Sequence, residues 1–112
     1  MTDPDRKAKI DAVLLKLPGV VAKKLNDLDA YFVSDRMFAC IGRDGALGIR
    51  LPATEVTNLQ FSRADVSPFQ PGNLSAAATR EWLQIDRADA AEYDKDLALF
   101  KSSIEFVKRG GR

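Results

Sequence analysis

Ile10, Val13, Leu14 and Leu17 recur at the i, i+3, i+4, i+7 spacing of one helix face, within a stretch otherwise crowded with charge. Asp3 is a fitting N-cap ahead of Pro4, whose missing N–H is harmless at the first helical position. Pro18 and Gly19 stop the pattern, which predicts a helix ending near Leu17. From Val20 to Leu51 the period falls to two. Residues 20–25 read as a strand, Asn26 and Asp27 as a turn, 30–33 as a second strand, and Ser34 and Asp35 as a hairpin connection. Residues 36–42 read as a third strand, with Phe38 and Cys40 on one face and Met37, Ala39 and Ile41 on the other. Asp44 and Gly45 carry the signature of a type I′ hairpin, whose two central positions need positive φ. The return strand, 46–51, places Leu47, Ile49 and Leu51 on one face and Ala46, Gly48 and Arg50 on the other. The pattern predicts an antiparallel meander.

Pro52 ends that strand, and Ala53 or Thr54 opens a short helix carrying Val56 and Leu59. Residues 62–80 contain Pro68, Pro71, Gly72 and Asn73, which punctuate rather than propagate structure. They predict a short extended piece near 66–69 and then a mobile loop. Residues 81–86 alternate again, with Trp82 opposite Leu83 and Ile85. Asp89 and Glu92 then form a D-x-x-E helix start, followed by a stripe of Tyr93, Leu97, Phe100, Ile104 and Val107. Acids crowd its first turns, Lys108 and Arg109 close its last, and Gly110 and Gly111 end it. The expected architecture is one α+β domain over 1–112, with a mobile loop around 62–80. It is a two-layer sandwich, an antiparallel sheet of about four to five strands packed against the N- and C-terminal helices.

Composition narrows the chemistry. Seventeen basic and sixteen acidic residues leave the 112-residue chain at +1, with no histidine and one cysteine. A near-neutral chain is not a DNA-coating protein, and without histidine most metal sites and every His-dependent triad are gone. The longest apolar run, residues 37–41, is five long, whereas a membrane span needs about 20. No apolar signal region follows the polar start, so the cytoplasm is the expected compartment. Cys40 lies in a strand-like run and reads as a small buried hydrophobe.

No constellation replaces the missing histidine. The pairs Asp27/Asp29, Asp86/Asp89 and Asp94/Asp96 fall in turns and near a helix start, where turn and dipole roles account for them. Gly42, Gly45 and Gly48 span a hairpin rather than opening a helix, so they do not form a nucleotide loop; Gly42 and Gly48 read as bulge or close-packing sites. No serine sits in a nucleophile motif. The expectation is no enzyme, no cofactor and no metal.

Arg36 to Ile41, followed by Asp44 and Gly45, then Ala46 to Pro52, then Ser67 to Gly72, then Arg80 to Ile85 and a terminal helix, form a pattern over most of the chain. It resembles the TfoX N-terminal domain family and, nearly as closely, the MmcQ/YjbR-type group. The resemblance implies a helix-covered antiparallel sheet. TfoX proteins regulate competence, and many carry a second, helical C-terminal domain; most short members of both groups have no established activity. The resemblance therefore lends fold more than function.

Two surfaces are candidates for binding. Residues 1–25 hold Arg6, Lys7, Lys9, Lys16, Lys23 and Lys24 against Asp3, Asp5 and Asp11. Lys23, Lys24 and Arg50 could thus form a basic surface for weak nucleic-acid binding. Phe32, Met37 and Ile41 are expected on the sheet face opposite the helix-covered one, where a protein partner or a second copy of the chain would cover them. A small-molecule pocket between the sheet and residues 68–79 is a more distant third.

Overall fold

The computed structural model describes residues 4–25, 28–42, 45–69 and 80–109. In chain order these form α1 (Pro4–Leu14), β1 (Val21–Leu25), β2 (Leu28–Val33), β3 (Arg36–Ile41), β4 (Leu47–Arg50), α2 (Ala53–Ser62), β5 (Val66–Pro68) and β6 (Trp82–Ile85), followed by a 3-10 segment (Ala90–Asp96) and α3 (Leu97–Lys108). All the strand pairings are antiparallel, and the sheet runs β1-β2-β3-β4-β6-β5. This is the α+β, helix-covered sheet read from the pattern, with six strands rather than four or five. The additional pairing comes from Val66–Pro68, which joins β6 as an edge strand. No helix among the described residues is long and apolar enough to cross a membrane.

One face of the sheet carries the principal core. Ile10, Val13 and Leu14 from α1, Val56 from α2, Tyr93 from the 3-10 segment, and Phe100, Ile104, Phe106 and Val107 from α3 pack there. They meet Tyr31, Val33, Phe38, Ala39, Ile41, Leu47, Ile49, Leu83 and Ile85 of the strands. Burying each such aliphatic or aromatic side chain contributes roughly 1.5–3 kcal/mol. The helices thus sit in one layer because their apolar stripes have one sheet face to meet.

Polar ties fix the helices in place. Tyr31 donates its buried hydroxyl to Asp11 of α1 at 2.5 Å. Arg6 donates to the carbonyls of Gly45 at 2.5 Å and Arg87 at 2.9 Å. Tyr93 donates its hydroxyl to the Ile85 carbonyl at 2.6 Å and accepts from the Leu47 amide at 3.1 Å, joining β6 to β4. The residues at the β2–β3 turn, Ser34 and Asp35, both take positive φ, 51° and 62°, as a type I′ connection requires. Gly45 has φ 87°; Asp44 lies outside the described residues, as does the expected N-cap Asp3.

Three expectations change. The first helix ends at Leu14, and Leu15–Leu17 continue as a turn closed by Gly19 at φ 78°. The terminal stripe is not one α-helix: Ala90–Asp96 is 3-10, with the Asp89 carboxylate accepting from the Ala91 amide. The four-and-three spacing fits 3.6 residues per turn, but of the stripe only Tyr93 lies inside the 3-10 segment, so the stripe does not report the tighter winding there. Finally, the 62–80 stretch opens with the end of α2 and holds the expected extended piece as β5 and the buried Phe69, while the mobile loop expected there falls on 70–79, outside the described residues.

The largest correction concerns β3. Pairing with β2 runs Ala30↔Cys40 and Tyr31↔Ala39, then jumps to Phe32↔Met37, leaving Phe38 as an extra residue in a β-bulge. The bulge breaks strict alternation. Phe38, Ala39 and Ile41 all enter the helix-side core, while Met37 and Cys40 face the other way. Ile41, expected on the open face, is therefore 0% exposed beneath the helices. Phe38 and Cys40, expected together, lie on opposite faces.

Candidate functional site

The sheet face away from the helices has its own apolar cluster. Ala30, Cys40, Phe69 and Trp82 are buried there, and Leu28, Phe32 and Met37 are partly buried around them. Phe69 follows β5 and folds back over β4, where a Cβ on Gly48 would collide with its ring. Its ring centroid lies 5.9 Å from that of Trp82, tilted by 41°. The expected close-packing role of Gly48 is thus explained by a residue twenty-one positions away.

Cys40 sits under this cluster, 1% exposed. Burial, reinforced by the nearby Asp29 carboxylate, pushes its thiol up to about 11. At neutral pH it is a protonated, apolar side chain and a poor nucleophile.

Toward the β1 end this face opens. Val21 pairs with Phe32, and Phe32 with Met37, so three apolar side chains form one row across β1, β2 and β3. Val21 is 50% exposed, and Phe32 and Met37 are partly so. Lys23, two positions along β1, holds its ammonium 5.4 Å from the centre of the Phe32 ring. Asp35 and Arg36, both exposed, stand at the turn beside the row. Two of the three expected interface residues, Phe32 and Met37, thus lie together; Ile41 does not join them.

The three basic candidates do not share a surface. Lys23 pairs in register with Ala30, on the Phe32 side, whereas Lys24 pairs with Asp29 and lies on the opposite side. Arg50 is three strands away, about 14 Å at normal strand spacing. Its guanidinium donates twice to the same oxygen of Glu81, at 3.1 and 2.7 Å, and lies 5.6 Å from the Phe106 ring centre. Arg50 is committed to folding contacts.

On the helix side, Asp11 accepts from Tyr31 and pairs with Lys7 at 2.7 Å. Desolvation, then this hydrogen bond, raises the Tyr31 hydroxyl well above its ordinary range. A second charged group was not anticipated from sequence. Asp96, 4% exposed, accepts from both Arg63 and Arg87, while Arg63 also grips Asp65 through two bonds of 2.8 and 2.7 Å. That grip holds the Asp65 carboxyl below its ordinary value. Arg63 and Asp96 are thirty-three residues apart, and no local pattern announces such a pair. The network ties the exit of α2 to the start of α3, and its charges cancel, so it is a fastening rather than a ligand site.

Among the described residues no three carboxylate, thiol or imidazole groups gather as a metal site would need. The described clefts are shallow ones beside α1 and between α2 and α3; the small-molecule position expected beside residues 68–79 falls mostly on 70–79, outside the described residues. Among the described residues, the row Val21–Phe32–Met37 is an apolar strip continuous with a buried cluster and bordered by Lys23 and Asp35.

No family model matches the sequence, and no curated protein matches it. The fold is similar to the crystal structure of the Deinococcus radiodurans protein DR2400, which carries the domain of unknown function DUF419. The TM-score is 0.72 at 16% identity, covering 100% of this chain and 86% of that one. At that identity the likeness is one of fold.

Proposed function

We propose that this chain is a non-enzymatic binding module, regulatory in character, that works through protein contacts on the β1–β2–β3 end of the open sheet face. The observation that carries the reading is the cross-strand row Val21, Phe32 and Met37, an apolar stripe that no helix among the described residues covers. Apolar residues held in register at a sheet edge, with a cation and a carboxylate beside them, fit the apolar-centre, polar-rim layout of a protein interface. The regulatory character draws on the resemblance to TfoX N-terminal and MmcQ/YjbR-type domains. Nucleic acid is placed second, because a strand contacting Lys23, Lys24 and Arg50 together would have to reach both sides of the sheet.

The test is the native size of the chain in gently prepared extracts of its own cells. The wild type is expected in a complex, either with another protein or with itself, and the double variant Phe32→Ser/Met37→Ser as free monomer. A wild-type chain that elutes as a free 12.3 kDa monomer at its cellular concentration contradicts the reading.

A further inference from the structure

The two edges of the sheet are unlike. β5 is three residues long and ends in Pro68, which has no N–H to offer. β1 is five residues long, contains neither proline nor glycine, and pairs only with β2 among the described strands. Val21, Ala22, Lys23 and Lys24 are all exposed. An edge strand of this kind presents unpaired N–H and C=O groups along its free side, a template for another strand.

Its charges decide which strand. Lys23 and Lys24 project to opposite sides of the sheet. Among the described residues their ion-pair partners, Asp35 and Asp29, stand at 3.9 and 3.5 Å, longer than a charged hydrogen bond. Lys7, Lys9, Lys16 and Lys95, by contrast, donate to carboxylates at 2.7 to 3.3 Å. A second β1 laid antiparallel edge to edge keeps each residue on its own face, so centring it on either lysine sets that lysine against its own copy, which discourages self-pairing. A strand with adjacent acidic residues would answer both cations at once, one on each side.

We infer that the β1 edge receives an extended acidic segment of a partner protein by strand addition, with an apolar residue of that segment seated against Val21 and Phe32. Main-chain hydrogen bonds supply the attachment, and the paired carboxylates supply the choice of partner. The inference rests on the protein-contact reading and names the chemistry of its partner.

The probe is a synthetic capped peptide, Val-Thr-Glu-Glu-Val-Thr, titrated into the isotopically labelled full chain at low salt and followed by amide NMR. The expected result is shifts concentrated at Val21–Leu25, slower hydrogen exchange at alternate β1 amides, and no such response to Val-Thr-Lys-Lys-Val-Thr. Lys23→Glu/Lys24→Glu, whose folding is checked by its own amide spectrum because the new carboxylates stand beside Asp35 and Asp29, should weaken the acidic peptide roughly tenfold or more and admit the basic one. Absence of β1 shifts, or shifts scattered over all basic residues without β1 protection, overturns the inference. In the native-size experiment the two readings separate. If Phe32→Ser/Met37→Ser dissolves the complex and Lys23→Glu/Lys24→Glu leaves it intact, the strand-addition inference fails while the contact surface stands.

Discussion

Ser103, fully buried on α3, donates its hydroxyl to the carbonyl of Phe38, the residue at which β3 changes face. A β-bulge disrupts the ladder around its extra residue and leaves backbone groups in need of partners. Here the helix supplies a hydroxyl whose single hydrogen is shared between the Phe38 carbonyl at 3.1 Å and the Arg50 carbonyl at the end of β4, at 2.5 Å. The bulge sends Met37 to the open face beside Phe32 while Ile41 goes under the helices, so the proposed contact surface depends on it.

Ser103→Ala is therefore expected to destabilise the fold by about 1–3 kcal/mol, since it strands buried carbonyls without filling space. Urea denaturation measures this. A variant as stable as the wild type would mean that the bulge carbonyl needs no partner from α3.

Gly48→Ala places a methyl group where the Phe69 ring lies. The ring must move off Trp82, at a cost of about 2–4 kcal/mol. Trp82 fluorescence should report a wetter indole. Adding Phe69→Ala should make the Gly48→Ala change nearly neutral in a double-mutant cycle.

Asp96→Asn leaves Arg63 and Arg87 without their shared buried charge. Breaking a buried pair from one side is worth 3–5 kcal/mol when both partners are buried. With the two arginines partly exposed, about 2–3 kcal/mol is expected, read as a lower denaturation midpoint. The neighbouring Asp65 side chain is 34% exposed against 3% for Asp96, and Asp65→Asn should cost less.

Cys40 should resist alkylation by iodoacetamide at pH 8 in the folded chain and react fully once urea unfolds it. Its pKa is raised from 9.0 to about 11, so between those values the native state holds a proton that the unfolded chain has released. Stability is then complete below about pH 9 and falls as pH rises toward 11. Tyr31, also raised, steepens the loss above pH 10. Cys40→Ala should flatten the part of the curve between pH 9 and 11, measured by denaturation at stepped pH.

Sequence reading reached the elements more easily than their faces. The stripe Ile10, Val13, Leu14 and Leu17 is buried as its spacing predicts, and Leu47, Ile49 and Leu51 share the core face. In both cases polar neighbours or a glycine mark the outward positions. Residues 37–41 are apolar throughout, so nothing in them reveals which point inward or where a bulge interrupts alternation. That is why Ile41 was expected beside Phe32 and Met37. Lys23, Lys24 and Arg50 illustrate the same limit from the polar side. Charge can be counted from sequence, but the side of the sheet it reaches depends on register, and its freedom depends on partners as distant as Glu81 and Phe106. The Arg63–Asp96–Arg87 fastening joins three chain segments and leaves no periodic trace in any of them.

The central claim, that the open face at the β1 end is a protein-contact surface, is tested most directly by site-specific photo-crosslinking in living cells. Benzoylphenylalanine in place of Phe32 should give a discrete covalent adduct, identified by mass as a partner or a second copy. The same group in place of Lys101, exposed on α3, should give none. Equal yields from both positions, or no adduct from position 32, would contradict it.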